Sequence, residues 1–171
     1  MKRKCSIRTP LGEMIALAEQ GRLCGLRFVG QKYDLEDTGE WRQEPDYPLF
    51  VALADQLDAY FAGQLRTFDV PLVSQGTPFQ MMVWELLRAI PAGTTTTYGA
   101  LARALAEQRE GRIPSAQAVG GAVGHNPISI VIPCHRVVGA NGSLTGYAGG
   151  LERKAALLAL ENVGKVNKER L

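Results

Sequence analysis

Asn126-Pro-Ile-Ser-Ile-Val-Ile-Pro-Cys-His-Arg-Val-Val138 is the stretch around which this 171-residue chain is best interpreted. Its centre, residues 128–132, is a short apolar run rich in β-branched side chains, which predicts a buried strand. Such a strand would carry Cys134 and His135 at its carboxyl end. The stretch therefore predicts a buried element that presents reactive side chains where it ends.

Cys134 and His135 form a candidate nucleophile and base. A free thiol has a pKa of about 8.5, so it attacks carbon at neutral pH only if a base, a cation or a helix N-terminus favours the thiolate. Neighbouring strand residues point to opposite sides, so His135 would reach Cys134 by a turn of the chain or through a bridging water, and we favour the water. The alternative is a buried cysteine beside a hydrogen-bonded core histidine, without chemistry.

Three helices are predicted before this stretch. Thr77-Pro78 is typical of a helix start and precedes an apolar face. A second helix should begin at Tyr98, and Ser115 should cap a third, short helix over residues 116–124. The last two, joined by a polar loop that ends at Pro114, resemble a helix-turn-helix.

The third helix is almost free of large side chains, since it reads Ala-Gln-Ala-Val-Gly-Gly-Ala-Val-Gly. Each glycine lowers helix stability by roughly 1 kcal/mol relative to alanine, so a slim helix face should serve a purpose. Two purposes remain open: close approach of a DNA backbone in a narrow groove, or tight packing against a neighbouring helix.

The N-terminal part predicts a small sheet and one helix. Residues 14–18 and 23–29 are β-type runs separated by a turn, and apolar residues from Leu49 to Phe61 follow a helical spacing. Residues 31–48 predict a mobile surface connection, and residues 71–76 a linker. We therefore predict an α+β fold with a small sheet-plus-helix lobe over residues 1–75 and a mainly helical lobe over residues 76–171.

Composition excludes several classes of protein. Apolar residues make up 46% and charged residues 21%, as in ordinary globular proteins. The chain lacks an apolar run near the ~20 residues of a membrane span and a signal-peptide core, and its three cysteines are an odd, unevenly spaced set. We predict free thiols and a cytoplasmic protein. A net charge of +2 does not by itself indicate a nucleic-acid partner.

The 126–138 stretch resembles the signature of the O6-alkylguanine-DNA alkyltransferases, also called methylated-DNA-protein-cysteine methyltransferases. The resemblance extends back through Thr77-Pro-Phe-Gln-Met-Met-Val-Trp84, Pro91-Ala-Gly93, Tyr98 and Ala118-Val-Gly-Gly121. It extends forward through Gly146-Tyr-Ala-Gly-Gly-Leu151, Lys154 and Glu161. In the first lobe only Thr9-Pro-Leu-Gly12 and Tyr60-Phe-Ala-Gly63 match, which fits a family whose N-terminal part varies.

The resemblance implies direct DNA repair, in which an alkyl group moves irreversibly from O6 of guanine to Cys134, and it leaves open whether O4-alkylthymine is a second substrate. His135 would act through water as its base, and Glu161 would hold the histidine. Asn126 would order the turn at the site, and Tyr98 would help rotate the target nucleotide and contact its base. The guanine pocket would be lined by Val137, Tyr147, Ala148 and Gly149. No metal or organic cofactor is implied.

The resemblance also implies a double-stranded DNA partner, with the small-residue helix in the minor groove and the damaged base flipped out. The DNA contacts would come from Ser115, Gln117, Ala118, Gly121 and Arg136. Many relatives carry an intercalating arginine where this chain has Gln117, so DNA binding should be weaker unless Arg103 or Arg112 compensates. The loop between Tyr98 and Gln117 is longer than in familiar members by the segment 108–114.

Three rival interpretations are weighed against alkyl transfer. An alkyltransferase-like lesion-binding module lacks the acceptor cysteine, whereas Cys134 is present. A cysteine hydrolase normally takes its histidine from a distant segment, for which His125 is a poor candidate. A fused transcriptional activator needs modules that this chain is too short to hold. The chain has only two histidines, His125 and His135, and both lie in the second lobe, so we predict no zinc site. We also predict a monomer without an obligatory protein partner.

Overall fold

The computed structural model describes residues 1–31 and 40–161, which divide into two compact units. The first unit contains Met1–Gln75 together with Pro127–Val131, and the second contains Gly76–Asn126 and the chain from Ile132 onward. The predicted boundary after residue 75 had placed Pro127–Val131 in the second lobe. The predicted mobility of residues 31–48 falls largely on residues 32–39, which lie outside the described residues.

The first unit is built on a sheet of four strands in the order β3-β2-β1-β4. β1 (Lys2–Thr9), β2 (Gly12–Glu19) and β3 (Arg22–Phe28) are antiparallel neighbours, while β4 (Arg42–Gln43) pairs parallel with β1. The predicted hairpin of β2 and β3 is confirmed, and its turn uses left-handed backbone at Gln20 and Gly21. β1 was not predicted as a separate strand.

Helix α1 (Pro48–Phe61) supplies the other layer of the first unit. Its buried side chains are Phe50, Leu53, Leu57 and Tyr60, which confirms the predicted amphipathic helix. Leu49, the predicted start of the apolar face, is only half-buried, and Phe50 takes its place.

The outer edge of β3 is covered by two separate segments of the same unit. Leu23 donates its N–H to the Pro71 carbonyl at 2.8 Å and accepts from the Val73 N–H at 2.9 Å. Further along, Leu26 makes the same pair of bonds with Pro127 (2.9 Å) and Ser129 (2.8 Å). Part of the predicted linker at residues 71–76 is therefore hydrogen-bonded to the sheet, which satisfies backbone groups that an open edge would leave unpaired.

The second unit is mainly helical, as predicted. α2 (Pro78–Arg88) begins with a capping box in which Thr77 and Gln80 bond each other's backbone N–H. α3 (Tyr98–Gln108) and α4 (Ala116–Gly124) form the predicted helix-turn-helix, with Thr97 and Ser115 as side-chain N-caps. β5 (Thr96–Thr97) pairs parallel with β6 (Val137–Val138), and α5 (Leu151–Leu160) ends the described chain. The α+β prediction is thus confirmed.

The predicted strand over residues 128–132 is wrong. Only Ile128 makes a bridge, and the chain then turns at Ile130, whose φ of 71° closes a Val131 N–H to Ser129 carbonyl bond of 2.8 Å. Such a three-residue γ-turn is rare for a β-branched residue and strained by about 1–3 kcal/mol. Pro133, at φ −82° and ψ 66°, makes an inverse γ-turn closed by Cys134 N–H and the Ile132 carbonyl. Cys134 therefore opens a 3₁₀ helix, Cys134–Arg136, instead of ending a strand.

Of the helices in residues 1–31 and 40–161, none combines the length and the apolar character that crossing a membrane requires.

Candidate functional site

The Cys134 thiol is buried, with 6% of the residue exposed, at the start of the 3₁₀ helix. Its surroundings are fixed by Asn126, whose Nδ2 donates to the Ile132 carbonyl at 2.7 Å. Asn126 is itself buried just beyond α4, so it ties the end of that helix to the turn before the cysteine. The two residues predicted to share the site therefore lie together.

The protonation of Cys134 is governed by opposing influences. Burial raises the pKa of the Cys134 thiol, while a hydrogen bond with Asn126 and the positive charge of Lys154 lower it. Burial is the largest of these influences, so the resting thiol is protonated at neutral pH. A nucleophilic role then requires a group that removes the proton.

His135 and Glu161 form a fully buried pair adjacent to the thiol. The His135 Nε2 lies 2.8 Å from Glu161 Oε2, and the Nδ1 atom is buried without a hydrogen-bond partner among the described residues. A carboxylate acceptor places the imidazole proton on Nε2, which leaves a lone pair on Nδ1. Burial lowers the pKa of His135, and Glu161 only partly opposes this, so the ring is neutral and able to accept a proton.

The structure contradicts the predicted DNA contact of Arg136. It is buried, and its guanidinium donates from Nε to Glu161 Oε1 and from Nη2 to Glu161 Oε2, each at 2.8 Å. Nη1 donates to the Ile90 carbonyl at 2.6 Å. Because the charge is engaged inside the protein, Arg136 does not offer it to a phosphate.

Lys154 is a site residue that the sequence signalled only weakly. It is 0% exposed, and its Nζ donates to the carbonyls of Thr145 (2.8 Å) and Gly146 (3.0 Å). Burial lowers the pKa of Lys154 to about 8, opposed by its attraction to Cys134. Leu157 and Leu158 are buried and lie three and four residues after Lys154, so the helical spacing puts Lys154 on the apolar face of α5. This spacing is the sequence signal from which its burial could have been predicted.

Tyr98 lies at the start of α3 and meets the same loop. Its hydroxyl donates to the Thr145 carbonyl at 3.2 Å, so that carbonyl accepts from Tyr98 and Lys154 together. Burial raises the pKa of Tyr98, which keeps its proton available for donation. A Cβ on Gly146 would lie 3.7 Å from the hydroxyl, which is ordinary contact.

The predicted guanine-pocket residues lie on β6 and on the loop that precedes α5. Val137 is buried within the β5–β6 pairing, Gly149 is buried, and Tyr147 and Ala148 are half-buried. The loop is closed by Gly150 N–H bonding the Tyr147 carbonyl at 2.9 Å, and Arg153 donates to the Gly149 carbonyl at 3.1 Å. The loop is thus held by side chains of α3 and α5.

The outer face of α4 carries the remaining predicted DNA contacts. Ser115, Gln117, Ala118 and Gly121 are exposed, while the opposite face buries Val119, Ala122 and Val123. A Cβ added at Gly120 or Gly121 would meet nothing within 4 Å. Tight packing within the chain therefore does not explain these two glycines, whereas the buried Ala122 does lie on the packed face.

The loop from α3 to α4 exposes Arg112, whose Nε donates to the Arg109 carbonyl at 3.1 Å. Arg109 stacks its guanidinium 5.4 Å from the ring centroid of Phe79 on α2. Arg103 is exposed on α3. The two arginines predicted to compensate for Gln117 are both at the surface of the second unit.

The three cysteines Cys5, Cys24 and Cys134 are free thiols, as predicted. Within residues 1–31 and 40–161, no three histidine, cysteine, aspartate or glutamate side chains are grouped as a metal site would need.

Comparison with known proteins gives a family match for each of the two units. Residues 78–163 match the family profile described as 6-O-methylguanine DNA methyltransferase, DNA binding domain, and residues 3–73 match the ribonuclease-like domain of the same family. A methylated-DNA–protein-cysteine methyltransferase of Mycolicibacterium paratuberculosis is 46% identical over 156 residues, which cover 91% of this chain and 90% of the relative.

Solved structures agree with the sequence comparison. The crystal structure of Mycobacterium tuberculosis O6-methylguanine methyltransferase is 45% identical, with a TM-score of 0.81, and the match covers 94% of this chain and 93% of that one. The M. tuberculosis protein in complex with DNA is 44% identical, also with a TM-score of 0.81, over 93% of this chain and 92% of that one.

Proposed function

Because the chain belongs to the methylated-DNA–protein-cysteine methyltransferase family, we propose that Cys134 is the residue that receives the alkyl group. The protein is a direct DNA-repair methyltransferase, and the suspected family resemblance is confirmed. The supporting observation is that Cys134, His135 and Glu161 are all buried and that His135 Nε2 is bonded to Glu161, while His135 Nδ1 has no hydrogen-bond partner among the described residues.

In the proposed reaction, His135 Nδ1 takes the Cys134 proton through a bridging water, and Glu161 stabilises the imidazolium that forms. The thiolate attacks the alkyl carbon of O6-alkylguanine from the side opposite the oxygen. A carbon–sulfur bond forms as the carbon–oxygen bond breaks, and guanine leaves with the electron pair. The charge on Lys154 supports the thiolate in the meantime.

The departing base needs a proton, which Tyr98 can supply by hydrogen-bonding or protonating the guanine ring. The hydroxyl keeps its proton in the resting site, as its raised pKa requires. Main-chain groups of Val137, Tyr147, Ala148 and Gly149 would line the guanine pocket. Because a thioether is not readily reversed by water or cellular thiols, each molecule acts once.

DNA is the partner, and we propose that α4 enters the minor groove while the damaged base rotates into the site. The open space over Gly120 and Gly121 and the exposed Ser115, Gln117 and Ala118 support this face. Gln117 would fill the place of the rotated nucleotide.

A monomer without an obligatory protein partner, the absence of a cofactor or zinc, and a cytoplasmic location remain predictions. The three free thiols support the cytoplasmic location. The alternative function, lesion binding without transfer, is less supported, since Cys134 is present and the full-length relatives are named as methyltransferases.

The test is to mix the protein with a duplex that carries one O6-methylguanine and to follow the tryptic peptide of residues 113–136, which contains no cysteine other than Cys134. We expect a gain of one methylene on Cys134, complete at one equivalent of lesion. Cys134→Ser should abolish the gain and Cys24→Ser should retain it. Lesion binding without a mass change would favour the lesion-binding module, and neither binding nor transfer would overturn the proposal.

A further inference from the structure

The Arg136 guanidinium occupies a position that DNA binding does not explain. It lies inside the second unit, between the carboxylate of Glu161 and the carbonyl of Ile90 just beyond α2. We propose that Arg136 is a positioning residue that locks Glu161 and thereby keeps His135 neutral, with its proton on Nε2. This inference rests on the proposed function, in which His135 is the base.

The locking follows from how the oxygens of Glu161 are used. Arg136 reaches Oε1 through Nε and Oε2 through Nη2, a bidentate pair that fixes the plane of the carboxylate. Oε2 also accepts from His135 Nε2. Since the bond from Nη1 to the Ile90 carbonyl anchors the guanidinium itself, the carboxylate cannot rotate away, and the imidazole proton stays on Nε2.

The charges around His135 favour its neutral form. From its own helix it faces Arg136, and from α5 and its C-cap it faces Lys154 and Glu161. The charged side chains of α2, Glu85 and Arg88, are exposed and lie within 3.5 Å of each other. Arg136 offsets part of the Glu161 charge, so Glu161 compensates only part of the buried charge that a protonated His135 would add to that of Lys154.

An ion pair that merely braces the fold would have the same contacts, so the test must report on the imidazole itself. The chain contains only two histidines, and His125 is exposed, so it gives a reference signal. We would titrate the imidazole nitrogens of the ¹⁵N-labelled full chain by NMR for the parent, Arg136→Met and Arg136→Lys. Arg42→Met, which removes an exposed cation from β4 of the first unit, is the matched control.

In Arg136→Met we expect the pKa of His135 to rise by about one to three units, because the Glu161 charge is no longer offset. Arg136→Lys keeps the charge but loses the fork, so its pKa should move little while the Nε2–H form mixes with the Nδ1–H form. Arg42→Met should match the parent. In single-turnover methyl transfer, the acid limb of the Arg136→Met pH profile should move up with the His135 pKa.

A folded Arg136→Met protein with the parent's His135 titration would overturn the proposal. If Arg136→Met does not fold, Arg136→Lys decides alone: a pure Nε2–H form, as in the parent, would contradict locking. The titration needs no DNA, so absence of methyl transfer in the parent would remove the proposed function and leave this measurement interpretable.

Discussion

The outer face of α4 and the cluster around Glu161 belong to one compact unit and are built in opposite ways. The α4 face has few side-chain atoms, open space over its glycines and no charge. The Glu161 cluster is fully buried, and each of its charges is met by an opposite charge or a carbonyl. Substitutions on α4 should therefore alter DNA binding, whereas substitutions in the cluster should alter the transfer reaction and its pH dependence.

The largest expected effect is that of Glu161→Gln. The substitution leaves Arg136 buried without a countercharge and weakens the orientation of His135. We expect transfer to slow by roughly 10²-fold or more and unfolding free energy to fall by about 3–5 kcal/mol. Rapid-quench transfer and urea unfolding measure the two effects, and Glu152→Gln on the exposed side of α5 is the control. A parent-like rate would remove Glu161 from the chemistry.

Lys154→Met should change how stability depends on pH. The pKa of Lys154 is about 8 when folded, below its ordinary 10.5, so between these values the unfolded chain binds more protons. Stability conferred through Lys154 therefore rises with pH across about 8 to 10.5, by at most about 3 kcal/mol. The parent should show this rise relative to Lys154→Met, and the variant should also transfer more slowly below pH 8. Urea unfolding from pH 7 to 11 checks it, and parallel curves would show that the amine is not perturbed.

Gln117→Arg should act on the DNA side alone. A new cation on the exposed face of α4 should tighten binding several-fold at low salt and steepen the salt dependence by about one charge's worth, a slope change of about 0.9. Reaction with the free base O6-methylguanine should be unchanged. Fluorescence anisotropy at several salt concentrations measures the slope, and Gln64→Arg in the first unit is the control. A changed rate with the free base would mean that the substitution on α4 also affects the chemistry, which would contradict the separation of roles between the two regions.

Gly121→Ala should give the smallest effect, with opposite signs for stability and binding. Because a Cβ meets nothing within 4 Å, alanine should stabilise α4 by up to about 1 kcal/mol. The same methyl group should weaken DNA binding modestly if this face lies in the groove. Thermal unfolding and anisotropy measure the pair, with the half-buried Gly120→Ala as comparison. Unweakened binding would mean that the glycine is not at the interface.

Much of the fold could be predicted where the causes are local. The capping hydroxyls of Thr77 and Ser115 and the apolar spacing of α1 act within a turn or two of backbone, so their helices were predicted at nearly correct positions. The strand prediction for residues 128–132 was wrong because composition alone cannot distinguish a buried strand from a buried turn. The hydrogen bonds that decide the path of this segment come from the distant Leu26.

The candidate site shows the same division. Cys134 and His135 are adjacent in sequence, so their chemistry could be proposed directly, and the family resemblance supplied Glu161 twenty-six residues on. Arg136 could not be interpreted correctly, because an arginine is equally suited to a phosphate and to a buried carboxylate. Lys154 was matched to the family motif without a role, because the burial of its amine against two carbonyls depends on the fold.

Local sequence was sufficient to predict the helices and their caps, the hairpin, the reactive pair and the family, since each depends on neighbouring residues or on a continuous motif. The tertiary structure was needed to show that the reactive stretch turns through Ile130 and Pro133, that Arg136 is directed inward, and that the buried Lys154 amine interacts electrostatically with the thiol. The physical reason is that burial and charge pairing depend on residues far apart in the chain, and these set whether a side chain binds, positions or reacts.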